Sequence, residues 1–184
     1  MKIQEVKNAF KIATTEIIGN KVCINYLDKI YDENGKELSK SILRENVSRV
    51  YFIVVDDEIY KIGGSQDNNG MKGTLNIYQT GGVNGRPSIR SYGIYKLLYK
   101  TLKSNKRIDF YMMYMPNFVA EIKGLFGTKE INNASLSFKF LELSCLEDYK
   151  RIEGKYPAWN FQENHEPWDV LIQEEYSELL KVKK

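Results

Sequence analysis

The stretch that decides the fold is Arg49–Ser65, RVYFIVVDDEIYKIGGS. Tyr51-Phe52-Ile53-Val54-Val55 is β-branched and aromatic, as is Ile59-Tyr60, so both runs read as short strands. Asp56-Asp57 breaks the run between them, and Gly63-Gly64 ends the second strand. Hairpin parity then places the polar exceptions, Tyr51 and Lys61. A two-residue turn at Asp56-Asp57 would set them on opposite faces. A three-residue connection, Asp56 to Glu58, pairs Ile53 with Lys61 and sets Tyr51 on the same face. The reading adopted is the second, which lets an ammonium favour the ionised form of a phenol.

Outward from the hairpin, the chain is long enough, at 184 residues, for one domain with a real core. The net charge of +3 permits nucleic-acid binding without requiring it. Cys23 and Cys145 have no metal-like spacing and do not suggest a secreted disulfide scaffold. Glu5 and Lys7 interrupt any signal-peptide pattern, and no apolar run reaches membrane-spanning length. The expected setting is a reducing cytoplasm. The single histidine excludes a His-rich metal site within one chain. His165 lies between Asn164 and Glu166 and reads as a surface residue.

Residues 1–18 read as an amphipathic helix, because Ile3, Val6, Phe10, Ala13 and Ile17 recur at three and four, with Gly19-Asn20 ending it. Val22, Ile24 and Tyr26 alternate like a strand, and Asn34-Gly35 signals a turn. This N-terminal arm, residues 1–48, is expected to add a packing layer. After the hairpin comes the polar loop Ser65–Gly70, then a short helix or turn over Met71–Tyr78. The glycine-rich segment from Gly81 leads into a helix running to about Lys103, with Arg86 and Arg90 flanking its start. Glycine allows close backbone approach to a phosphate, so these arginines are candidates for DNA phosphate contact. Ile108–Met115 reads as a strand, and residues 118–136 as a linker or insertion with a short helix near Val119–Leu125. A helix from about Ser137 to Glu153, capped by Gly154, is expected to turn Phe140, Leu143, Leu146, Tyr149 and Ile152 inward. A last helix follows Pro167, in a tail of residues 164–184 that would cover the sheet or meet a second subunit.

Together these motifs resemble the GIY-YIG nuclease domain over about residues 49–163. The GIY position reads Arg49-Val50-Tyr51 and the YIG position Lys61-Ile62-Gly63. Lysine in place of the second tyrosine resembles a branch containing small restriction endonucleases. A literal Gly93-Ile94-Tyr95 falls in an expected helix with no second motif after it, and is read as chance. Lys72, eleven residues after Lys61, stands where the family carries an arginine. Where the family often has a tyrosine or histidine this chain has Asn76, with Tyr78 the nearest phenol. Pro157-Ala158-Trp159-Asn160 matches the family's proline-to-asparagine pattern, and Glu147, thirteen residues before Asn160, is the expected metal glutamate, with Glu142 the runner-up.

The resemblance implies an α+β fold: a small antiparallel or mixed sheet opening with a β-hairpin, flanked by helices, with N- and C-terminal helical additions. It implies hydrolysis of double-stranded DNA to 5′-phosphate and 3′-hydroxyl ends. Tyr51 would act as general base with its pKa depressed by Lys61, Glu147 would hold one Mg²⁺, and Lys72, Arg86 or Arg90 would neutralise the phosphate. Asn160 would hold local geometry, and Tyr78 is grouped with the DNA-contacting residues. The expected activity is that of a type II restriction endonuclease, with a homodimer cutting both strands of a symmetric site. The alternatives are a homing or repair nuclease and a non-catalytic DNA-binding module of the same fold.

Overall fold

A computed structural model of the chain describes residues 1–45, 47–65 and 67–182. The expected hairpin is β5 (Ser48–Val55) and β6 (Glu58–Ser65). Ile53 faces Lys61 across it, as parity demands for Tyr51 and Lys61 to share a face. The route to that register differs from expectation. Val55 pairs with Glu58 across a two-residue turn, Asp56-Asp57, whose φ angles of 47° and 73° are both left-handed. That is the conformation a tight hairpin turn requires. The register then shifts by one between Ile53 and Val54, leaving Tyr60 as the extra residue of a bulge. Two aspartates tolerate positive φ here because Arg107 holds both. Its backbone N–H donates to Asp56 Oδ1 at 3.0 Å, and its guanidinium pairs with Asp57.

β5 is buried along its whole length, since it has a neighbour on each side and a layer on each face. The sheet has five strands in the order β2-β1-β7-β5-β6, every pair antiparallel. Its central strand is β7 (Ile108–Met115), which lies where the sequence placed a strand. β1 (Phe10–Ile18) and β2 (Lys21–Tyr26) come from the N-terminal segment. The expected helix over residues 1–18 is therefore corrected to a 3₁₀ turn, Ile3–Glu5, and a nine-residue strand. The run Thr14-Thr15-Glu16-Ile17-Ile18 is rich in β-branched side chains, which favour a pleated strand over a helix. A register shift between Lys11 and Ala13 buries Ile12 and Ala13 alike, and this imitates helical spacing. The expected extra layer is thus two strands of the main sheet. Asn34-Gly35 turns a small ribbon, β3 (Ile30–Tyr31) and β4 (Glu37–Leu38).

The helices take opposite faces of the sheet. α1 (Gly70–Thr80) and α2 (Ile89–Lys103) bury Met71, Leu75, Ile94 and Leu98 against Ile53, Val55, Phe110 and Met112. α3 (Phe138–Glu153) covers the other face, packing Leu146 and Tyr149 on Val50, Phe52, Val54 and Ile62. Its boundaries match the sequence signals: Ser137 Oγ accepts from the Lys139 N–H at the start, and Gly154 is left-handed at the end. Its inward face does not match. Leu146 and Tyr149 are buried, but Phe140, Leu143 and Ile152 are exposed, and Leu141 and Cys145 pack in their place. The expected short helix near Val119–Leu125 is also corrected. Phe118–Gly124 and Gly127–Ala134 are strands β8 and β9 of a separate exposed hairpin, with Gly127, at φ 116°, the first residue after the turn. α4 (Val170–Val182) packs on α2 rather than on the sheet, with Ile172 as its buried contact.

Candidate active site

Tyr51 points from β5 toward α1, where its hydroxyl meets the Tyr78 hydroxyl at 2.5 Å, the two rings edge to face. Tyr78, expected as a DNA-contacting residue, is instead a buried partner of Tyr51. Gly63 lies opposite Tyr51 on β6. A Cβ at Gly63 would overlap the Tyr51 hydroxyl and ring, so only glycine leaves room for the phenol. Gly64 points to the other face, where a Cβ would meet Glu142 Oε2 at 2.8 Å. Glu142 on α3 thereby reaches the bare backbone of an edge strand.

The electrostatics tie these groups together. Burial pushes the Tyr51 phenol well above its usual range; Tyr78 and the Glu142 charge push the same way, and Arg90 pulls it down. Tyr78 is also raised by burial, with its bond to Tyr51 and the Arg90 charge opposing and Glu142 adding. Lys61 is lowered to about 8, first by burial, with Glu163 and Glu142 favouring its charged form and Arg90 opposing. Tyr51, Tyr78, Lys61, Arg90 and Glu142 thus share one charge environment, and the Glu163 charge acts on Lys61.

Several expected roles move accordingly. The cation that favours the Tyr51 phenolate is Arg90, not Lys61. Lys72 is turned from the cluster: its ammonium lies over the Tyr26 ring, 4.9 Å from the centroid. Six residues separate it from Tyr78, which on a helix is about 240° of rotation. Arg86 is exposed and does not enter the charge environment of the two phenols or Lys61. Glu147 is exposed, and its carboxylate accepts from the Tyr156 hydroxyl at 2.8 Å. Glu142, the runner-up, is the carboxylate that reaches the Gly64 edge of β6 and whose charge acts on both phenols. Distance along the chain from Asn160 points to Glu147, whereas the face that α3 presents to the sheet decides which glutamate arrives.

Asn160 is 1% exposed and grips β6. Pro157-Ala158-Trp159-Asn160 is a tight turn closed by the Asn160 N–H on the Pro157 carbonyl at 2.9 Å. From it the Trp159 N–H donates to the Tyr60 carbonyl at 2.7 Å, and the Asn160 amide pairs with the backbone of Ile62. The turn therefore docks on the bulge that brings Lys61 onto the Tyr51 face. Sequence reasoning missed Glu163, which carried no spacing signal. It also passed over Gly63 and Gly64 as space-makers, although two adjacent glycines ending a strand are a legible sign of close approach.

Among solved structures, the chain is similar to a point mutant of bacteriophage T4 EndoII at a TM-score of 0.52 and 19% identity, over 87% of this chain and 98% of that one. The fold is that of the GIY-YIG nucleases. The restriction endonuclease Hpy188I, in complex with product DNA, matches at a TM-score of 0.46 and 22% identity, over 85% of this chain and 84% of that one. No protein-family model and no curated protein matches the sequence. Among the described residues, no helix is long and apolar enough to cross a membrane.

Proposed function

We propose that the protein is a Mg²⁺-dependent, sequence-specific DNA endonuclease of the restriction type that leaves 5′-phosphate and 3′-hydroxyl ends. The observation that carries this reading is the convergence of a buried phenol pair, a carboxylate and a guanidinium at the glycine-lined edge of a GIY-YIG-like sheet. Hydrolysis of a phosphodiester needs a base for water, a cation at the non-bridging oxygens and help for the leaving oxygen.

The donor set fits a Mg²⁺ held by few protein ligands. Among the described residues no three His, Cys, Asp or Glu side chains cluster. Glu142 makes no hydrogen bond or ion pair there, so its carboxylate is uncommitted. Mg²⁺ suits one carboxylate with waters and phosphate completing its shell. When bound it would stabilise charge on the leaving 3′-oxygen. Arg90 offers its fork to the phosphate oxygens, and its charge lowers the cost of ionising Tyr51. Tyr51 must first release its own proton to solvent, a step that the Arg90 charge favours; its phenolate oxygen then takes the proton of the attacking water, and Tyr78 holds that oxygen in place. Lys61, charged below about pH 8, is a second cation for the phosphate. Asn160 positions and does not react. Each chain has one such cluster, so cutting both strands of a symmetric site calls for a homodimer.

The deciding experiment incubates the protein with long unmethylated DNA, with and without Mg²⁺, and resolves the products on a gel. Sharp bands that require Mg²⁺ are expected. A smear would replace the restriction reading by a nonspecific or repair nuclease. Intact DNA across several substrates would leave a non-catalytic DNA-binding module. Arg90→Ala should abolish cutting of any DNA, while Lys72→Ala should still break strands even where its choice of site relaxes; the reverse result would return the phosphate-binding role to Lys72.

A further inference from the structure

Arg44, Asn68, Asn69, Lys72, Asn76 and Gln79 line an open groove of about 760 Å³ between β2 and α1. None of its described lining residues is acidic, and beyond Gly73 only Ile24 and Tyr26 among them add apolar surface. A site for a small organic ligand is mostly apolar with few polar groups, and this groove reverses that composition. Its polar side chains are also unspent. Those of Arg44, Asn68, Asn69 and Asn76 make no hydrogen bond or ion pair among the described residues. Gln79 gives only its carbonyl oxygen, accepting the Ile24 N–H at 2.9 Å. Lys72 is held over the Tyr26 ring at 4.9 Å, which aims its ammonium before any ligand arrives.

Carboxamides and long cations are the side chains whose donor and acceptor pairs match base edges in the major groove. Asn and Gln match adenine, and Arg and Lys match guanine. We infer that this groove reads DNA base edges and sets the sequence preference of the enzyme. The inference rests on the nuclease reading for its substrate and adds to it the residues that choose the site. The placement suits one duplex serving both tasks. Lys72, Asn76 and Gln79 recur at four and three residues and form one stripe of α1. Thr74 and Tyr78 form a different stripe, the one that meets Ser65 and Tyr51. A helix is about 10–12 Å across with its side chains, and the major groove is about 12 Å wide. Bases contacted on one flank of α1 and a phosphate reacting on the other therefore lie within the span of a single duplex.

The test is selection from a pool of random duplexes by binding without divalent metal, followed by sequencing, for the natural chain, Asn76→Ala and Lys72→Ala. The readout is preference at each base pair, independent of total binding. The natural chain should enrich a defined sequence, and each variant should lose preference at one or two base pairs by on the order of tenfold to a hundredfold. Enrichment of the same sequence by all three chains, with binding weakened uniformly and its salt dependence reduced, would mean phosphate contact alone and would overturn the inference. Enrichment of nothing by the natural chain would overturn it as well. Asn68→Ala, in the loop before α1, replaces Asn76→Ala if thermal melting shows that variant misfolded. A natural chain that selects a sequence but never cuts it with Mg²⁺ would end the nuclease reading and leave the groove's role standing. One that cuts, with variants of unchanged preference, would do the opposite.

Discussion

Asn160 holds the backbone of Ile62 at both its groups: the Ile62 N–H donates to Asn160 Oδ1 at 2.9 Å, and Asn160 Nδ2 donates to the Ile62 carbonyl at 2.9 Å. β6 is an edge strand, so these groups have no neighbouring strand to pair with. One buried side chain takes the place of that neighbour between Lys61 and Gly63. Asn160→Ala leaves an N–H and a carbonyl unpaired in the interior, at a cost of about 2–3 kcal/mol. Denaturant unfolding measures the loss, and cleavage should fall with it because Lys61 and Gly63 lose their anchor. In Asn160→Asp the carboxylate faces the Ile62 carbonyl with no proton to donate. Its destabilisation should shrink as pH falls and the acid protonates, so stability that is flat or falling with acid would contradict the pairing.

The paired glycines should separate stability from activity. In Gly63→Ala the new methyl meets the Tyr51 ring and hydroxyl, and Tyr51 is boxed in by Tyr78. Overpacking of that kind costs about 1–3 kcal/mol, with loss of cleavage. In Gly64→Ala the methyl meets the Phe138 ring and both the carboxylate and the Cβ of Glu142. Stability should fall less, while the Mg²⁺ concentration needed for cutting rises. A melting scan beside a Mg²⁺ titration reads both effects.

Glu142 and Glu147 are a direct comparison of the sequence reading with the structure. Glu142→Gln should reduce Mg²⁺-dependent cleavage by about a hundredfold or more without unfolding the chain. Glu147→Ala removes one exposed hydrogen bond to Tyr156 and should leave cleavage near its natural rate. Equal effects would mean that α3 presents a different face in solution.

The base assignment depends on one oxygen. Tyr51→Phe keeps the ring packing and should cut cleavage by about a hundredfold to ten-thousandfold while DNA binding survives. Tyr78→Phe removes only the partner hydroxyl and should cost much less. Retained cleavage in Tyr51→Phe would remove the phenol from the mechanism.

Lys61 makes stability depend on pH with a definite sign. Its folded pKa of about 8 lies below the usual 10.5, so between those values the unfolded chain binds more protons and stability rises with pH. From pH 8 to about 10 the gain is about 2–3 kcal/mol. Above pH 10 the raised phenols Tyr51 and Tyr78 reverse the trend, because they keep protons that the unfolded chain releases. Lys61→Met should lack the rise between 8 and 10, as chemical denaturation at a series of pH values would show.

Much of the frame was legible locally. The β-branched run of β5, the aromatic and methionine run of β7 and the caps Ser137 and Gly154 of α3 each depend on a few neighbouring residues, and each element lies where those residues put it. Asn160 was found because a proline-led turn and an asparagine have a short-range signature. The first eighteen residues misled because a bulged strand buries two successive residues, Ile12 and Ala13, and so mimics a helical stripe.

Local sequence signals place a hairpin ending in paired glycines, with a helix and a proline turn after it, whereas Tyr51 and Lys61 share a face because of the bulge at Tyr60, which no local signal marks. Which carboxylate and which cation join them is set by the packing of the helices on the sheet. Glu142 and Glu147 have the same chemistry on the same helix, and Lys72 and Arg90 are both cations on helices of one layer. What separates them is rotation about a helix axis, and that rotation is set by the side chains packed across the interface. α3 turned Leu146 and Tyr149 to the sheet and brought Glu142 to Gly64. α1 buried Leu75 and Tyr78 and left Lys72 over Tyr26.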